Sequence, residues 1–143
     1  MKDYSLWHLL KTEIEGHAHP PFFREREIWW IALGANVGFE QDGKHNYFER
    51  PVLIFRKFNK DLFWAFPLTT KSKTGKFYFS FPLLGQQRAL IFSQLRVLSA
   101  KRLRRRVSKV SDTIFERLEN TFIDFIKQTA PRLRVPRVPN GNL

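Results

Sequence analysis

The chain has 143 residues, 43% of them hydrophobic and 15% aromatic, with fifteen Phe, four Trp and no Cys. That length and apolar content suffice for one domain with a real core and argue against a disordered chain, while the missing cysteines exclude a disulfide framework and any thiolate zinc site. The net charge of +12 favours polyanionic partners: nucleic acid, an acidic protein segment or an anionic membrane surface.

The first stretch, MKDYSLWHLLKTEIEGH, mixes acids and bases through its apolar positions and lacks the uninterrupted apolar core of a signal peptide. No apolar run approaches the roughly 20 residues that span a bilayer. These features predict a soluble, cytoplasmic protein without a membrane partner. Residues 3–15 predict a helix with Leu6, Leu9, Leu10 and Ile14 on one face. Gly and paired Pro in EGHAHPP end it. Residues 1–24 thus read as a helical arm before a main domain over 25–128.

Five strands follow, each bounded by turn residues. EIWWIAL covers Glu27–Leu33, and its two tryptophans alternate faces, one toward the core. A polar loop, Gly34–Glu49, precedes PVLIFRKF at Pro51–Phe58. Asn59-Lys60-Asp61 signals a tight turn into LFWAFPL, Leu62–Leu68. KFYFSF, Lys76–Phe81, alternates at period two after the Thr74-Gly75 turn. RALIFSQL, Arg88–Leu95, is entered through Gly85. Short strands joined by short turns suggest a small antiparallel barrel or a strongly curled sheet. Beyond them, Ser99 can cap a short helix over Ala100–Arg104, and Ser111 or Asp112 a longer one to about Lys127. The longer helix carries an apolar face of Ile114, Phe115, Leu118, Phe122, Phe125 and Ile126, which is core spacing rather than a ligand box. From 129 onward three prolines and three arginines describe a basic, disordered tail.

The charge is uneven. Six of the nine residues Lys101–Lys109 are basic, without one acid, so this run either binds a polyanion or forms a solvated face. Common catalytic kits are missing. The only histidines are His8, His17, His19 and His45, three of them in the arm and its exit, which is poor material for a two-histidine ribonuclease site. There is no GxxxxGK[ST] phosphate loop. The thirteen acids are scattered rather than paired for two-metal chemistry, and neither a metal nor a cofactor is expected. Arg, Thr, Glu, Ser and Gln remain. They form no strong nucleophile, but they can help RNA attack itself, because the ribose 2′-OH lies beside the phosphate it would displace. A fixed guanidinium grips phosphate oxygens with parallel donors, and a threonine hydroxyl can add a further hydrogen bond.

Ordered motifs then carry a resemblance. Arg26–Trp30 (REIWW) looks like GEIWW-type text. Val37–Gly43 (VGFEQDG) is similar to VGSEQGG, and Arg50–Ile54 (RPVLI) to RPVLV. Pro67–Lys73 (PLTTKSK) looks like PxTTxSK, and Ser93–Arg96 (SQLR) like DQIR. Lys101-Arg102-Leu103 and the closing helix follow in order. Across residues 25–127 the chain resembles the PemK/MazF family of type II toxin endoribonucleases. The resemblance implies an α+β fold: a small SH3-like antiparallel β-barrel, CcdB/PemK-like, with short helices and a C-terminal amphipathic helix. It implies a homodimer that cleaves single-stranded RNA without a metal, leaving 2′,3′-cyclic phosphate and 5′-hydroxyl ends. It also implies a cognate antitoxin whose acidic C-terminal segment fills the RNA groove.

By the same resemblance Arg50 stabilises the phosphorane, Thr69 orients the scissile phosphate and Glu40 acts on the 2′-OH. Gln41, Thr70, Lys71, Ser93 and Gln94 are implied to bind substrate. Two departures stand out. Lys44–Glu49 (KHNYFE) fills a gap where family members typically have one or two residues, and Ser93 replaces an aspartate that some members carry. Bland alternatives remain at this stage. Arg50 could pair with Glu49 or Glu40, Gln94 could satisfy a strand, and Tyr47 and Phe48 could stack on bases or clip the loop shut. A non-catalytic relative, such as a CcdB-like gyrase binder, is the alternative function.

Overall fold

The computed structural model describes residues 1–69 and 73–129. Two helices, α1 (Tyr4–Glu15) and α2 (Asp112–Thr129), accompany strands β1 (Glu27–Ala32), β2 (Glu49–Lys57), β3 (Leu62–Thr69), β4 (Tyr78–Leu83), β5 (Gln86–Ile91), β6 (Arg96–Ser99) and β7 (Leu103–Lys109). The strands form one antiparallel sheet in the order β4-β5-β3-β2-β1-β7, with β6 added beside β3. β3 is shared between two neighbours: Leu62–Ala65 pair with β6, and Leu68 and Thr69 pair with β5. Register shifts in β1–β7 and β2–β3 add local bend and twist. Together they curl the sheet into a half-barrel, the α+β architecture that the turn-punctuated strands suggest.

Period-two alternation gives the sheet two apolar faces. Leu53 and Phe55 of β2 join Ile28, Phe66, Phe81 and Phe92 on one side, where α2 packs Phe115, Leu118 and Phe122. Phe122 stacks edge-on against Phe66 at 5.0 Å and Phe55 at 5.5 Å, a geometry that aromatic quadrupoles favour. Val52 and Ile54 join Trp29, Ile31, Phe63 and Leu98 on the other side. Trp29 is buried while Trp30 is only partly covered, as strand alternation predicts. Ser111 caps α2, accepting from Ile114 N at 3.2 Å, and Asn59 Oδ1 closes the β2–β3 turn on Asp61 N and Leu62 N.

Four expectations need correction. RALIFSQL is not one strand: β5 stops at Ile91, Phe92–Gln94 make a 3-10 turn, and β6 begins at Arg96. The helix expected over Ala100–Arg104 is a single 3-10 turn, Ala100–Arg102, capped by Ser99. The arginine run continues as β7, because its backbone completes β1 from Glu27↔Lys109 to Ile31↔Leu103, and tertiary pairing overrides local propensity. On α2, Ile126 is half-exposed rather than core. On α1, Leu6 and Leu9 are exposed, and the buried face is Trp7, Leu10 and Ile14. The indole, larger than any leucine, takes the core side against Phe48 at 5.5 Å. No helix among the described residues is long and apolar enough to cross a membrane. Of the tail expected from 129 onward, Thr129 ends α2 and the remainder lies outside the described residues.

Candidate active site

The loop from Leu33 to Phe48 is polar, yet its backbone groups are largely satisfied. Phe48 O accepts from Leu33 N and Gly34 N, and Gly43 N donates to Gly34 O. Gly34 has φ +95°, and a side chain there would run into the Trp7 ring; one at Gly43 would strike the Phe48 backbone. Both positions therefore require glycine. Asn36 ties the loop across itself, donating from Nδ2 to Gln41 O at 2.8 Å and from its amide to Asp42 Oδ1 at 2.6 Å. The arm adds a clamp. Lys2 Nζ reaches Asn36 O at 2.6 Å, Gly38 O at 2.9 Å and Asp42 Oδ2 at 3.0 Å, and Tyr4 Oη donates to Asn36 O.

Arg50, the second residue of β2, lies opposite Ile31 and is buried, 7% exposed. Its Nε donates to Asp42 O at 2.5 Å and its Nη1 to Leu68 O at 3.0 Å. One guanidinium thus joins the loop to the end of β3, one residue before Thr69. Burial lowers its pKa and the Asp42 charge opposes this; a guanidinium remains charged all the same. Neither bland pairing occurs. Glu49 pairs with Arg105 at 3.2 Å, and Glu40 Oε1 accepts from Val37 N at 2.9 Å.

Thr69 ends β3, half-buried and in register with Ala89. Gln94 does not satisfy a strand. From the 3-10 turn its Oε1 accepts from Gln41 N at 3.0 Å and its Nε2 donates to Phe39 O at 3.0 Å, so it grips the loop on both sides of Glu40. Ser93 is exposed in the same turn. Burial lowers the Arg96 pKa, and the Glu40 charge opposes this. Thr70 and Lys71 lie outside the described residues. The structure therefore brings together Arg50 and the Thr69 strand end, and separately Gln41 and Gln94.

Three contributors escaped the sequence reading. Arg96, the last residue of SQLR, has a buried Nη1 without a partner. Asp42 orients both Asn36 and Lys2. Arg102 donates to Ala32 O at 3.1 Å and Leu33 O at 3.2 Å, lies over Trp7, and is pushed down to about 10 by burial first and by the Arg96 charge second. SQLR and EQDG held signals for Arg96 and Asp42; nothing in one sequence ties Lys2 to a loop 34 residues on. The basic run is not a uniform solvated face, since Lys101, Arg105 and Arg106 pair with Glu15, Glu49 and Glu27. Among the described residues no three His, Asp or Glu side chains converge into a metal-binding group.

A half-barrel with a C-terminal helix on one face is a small α+β fold that other solved structures share. MazF from Deinococcus radiodurans superposes with a TM-score of 0.58 at 18% identity, over 76% of this chain and 98% of that one. A mycobacterial endoribonuclease solved in complex with its cognate antitoxin superposes at 0.55 and 11% identity, over 74% and 96%. Residues 24–126 match the PemK-like, MazF-like toxins of type II toxin–antitoxin systems, and the chain belongs to that family. No curated protein matches it significantly in sequence.

Proposed function

We propose that this toxin is a sequence-specific endoribonuclease acting on single-stranded RNA such as mRNA. The observation that carries the reading is the Arg50 guanidinium, oriented by two backbone carbonyls next to the Thr69 strand end. The ribose 2′-OH attacks phosphorus and loses its proton. The P–O5′ bond breaks, the 5′-oxygen takes up a proton, and the products are a 2′,3′-cyclic phosphate and a 5′-hydroxyl. Arg50 supplies the fixed positive charge for the phosphorane, so the scheme calls on no metal or cofactor. Removing one such preorganised donor typically costs 10²–10³ in kcat, about 3–4 kcal/mol. Thr69 orients the phosphate, and Gln94 holds Gln41 and the Glu40 loop in place. Glu40 is the carboxylate assigned to the 2′-OH.

The same reading includes a homodimer working in the cytoplasm and neutralised by an antitoxin with an acidic C-terminal segment. Exposed Phe58, Leu62, Trp64 and Val97 gather around the β3–β6 pair and offer an apolar surface for such partners. Ser93, in place of an acid, favours a second reading, a non-cleaving binder of the same fold. Incubation with a long single-stranded RNA in EDTA separates the two. Cyclic-phosphate ends that vanish in Arg50→Ala support the enzyme. Intact RNA at high protein concentration, or undiminished cutting by Arg50→Ala, refutes it.

A further inference from the structure

We propose that Lys2 is a positioning residue for the reaction: its ammonium holds the Asp42 carboxylate off the Arg50 guanidinium, so that the guanidinium stays free to meet a phosphate. The proposal rests on the endoribonuclease reading above and extends it to the arm, which lies outside the matched residues 24–126.

Asp42 is a hazard for its neighbour. Its carbonyl oxygen accepts from Arg50 Nε at 2.5 Å, so its carboxylate hangs from the same residue that the guanidinium already grips. The two charges are close enough for Asp42 to oppose the lowering of the Arg50 pKa by burial. Arginine and carboxylate readily close into two parallel hydrogen bonds, and that fork would cover the edge a phosphate needs. The text VGSEQGG has glycine at this position, whereas VGFEQDG has the acid. This chain therefore carries a negative charge beside Arg50 that the motif it resembles leaves out.

The carboxylate is drawn elsewhere. Asn36 N donates to Oδ1 at 2.6 Å, and Lys2 Nζ meets Oδ2 at 3.0 Å, so both oxygens are engaged and Arg50 reaches Asp42 through the carbonyl. Lys2 is itself fixed. Its Nζ also reaches Asn36 O at 2.6 Å and Gly38 O at 2.9 Å, which occupies the three donors of an ammonium. The Lys2 and Asp42 side chains are 29% and 28% exposed, and a partly buried pair is screened less than one in open solvent. The arm keeps its seat by other contacts. Trp7 lies against Gly34 and Phe48, Tyr4 Oη donates to Asn36 O, and Asp3 caps α1 at Leu6 N. Removing the Lys2 charge thus releases Asp42 without undocking the arm.

The test uses the full chain in four forms: wild type, Lys2→Met, Asp42→Asn and the double variant. Asparagine keeps an oxygen for Asn36 N and loses the charge. The phosphorane carries more negative charge than the diester, so a compensated Arg50 lowers kcat more than it raises KM. With Asp42 present, Lys2→Met is expected to lower kcat about tenfold, short of the 10²–10³ for losing the donor itself, with KM within about twofold. With Asn at 42, the same Lys2→Met change should cost less than about twofold, a non-additivity that marks the pair as coupled. An equal loss in both backgrounds, as an arm that serves only folding or a lysine that only attracts RNA would give, overturns the proposal, and so does wild-type kcat in Lys2→Met. The Arg50 Nε–H resonance is followed by NMR in the same four proteins. It should shift in Lys2→Met and return in the double variant. Wild type that leaves RNA intact overturns the nuclease reading; an Nε–H resonance unmoved by Lys2→Met overturns the hold of Lys2 on Asp42, whether or not RNA is cut.

Discussion

Arg50→Lys is the sharpest probe of the site, because it keeps the charge and removes the fork. Arg50 makes two hydrogen bonds at once, to Asp42 O and Leu68 O, with a further edge left for substrate. A lysine ammonium is a compact point charge on a flexible stem and cannot span both carbonyls in that plane. A hydrogen bond to a charged group is worth roughly 1.5–3 kcal/mol, and a buried acceptor left without a partner costs about 1–3. Losing one of the two therefore lowers folding stability by about 2 kcal/mol, seen as a lower Tm or urea midpoint. For catalysis the charge survives but its direction does not, so the loss is smaller than for Arg50→Ala: about 10- to 100-fold, against 10²–10³ for complete removal of a preorganised donor. Single-turnover cleavage of an oligonucleotide with one site reports the chemical step, and thermal unfolding of the same sample reports stability. An Arg50→Lys protein that cleaves within twofold of wild type would show that charge alone suffices and that orientation by the two carbonyls is irrelevant.

Gln94→Ala frees Gln41 N and Phe39 O from their shared partner. We expect kcat/KM to fall about tenfold through looser positioning, with near-wild-type Tm; wild-type kinetics would sever Gln94 from the loop's function. Gly34→Ala forces a side chain into the Trp7 ring at φ +95° and should cost about 2–3 kcal/mol by overpacking and backbone strain. Denaturant unfolding checks this, and a midpoint shift too small to resolve would mean the arm moves aside freely.

The frame of the fold was legible because its strands alternate apolar residues and are punctuated by Gly, Asn and Asp turns. Both apolar faces of β2 can be read directly from VLIF. β7 was hidden because KRLRRRVSK carries little apolar period, and only pairing with β1 makes it a strand. The α1 face was misread because four leucine-like residues outvoted one tryptophan, whereas burial is decided by what waits opposite. At the candidate site, RPV and EQDG pointed to the corner where Arg50 meets the loop. Which acceptors Arg50 uses, and that Gln94 grips the loop around Glu40, depend on contacts between residues far apart in the chain. Those contacts have no local signature.

The clamp between the arm and the loop also constrains how this chain can be recombined. Trp7 needs Gly34, Phe48 needs Trp7, and Lys2 needs Asp42, so these positions form one interlocked module rather than an ornament on a transferable domain. A chimera taking its first long loop from a relative without the arm would leave the indole with no seat. Trimming this chain to residues 24–126 would bare Ala32, Ala35 and Phe48. Bulk introduced directly beside Lys2 would crowd the ammonium that holds Asp42.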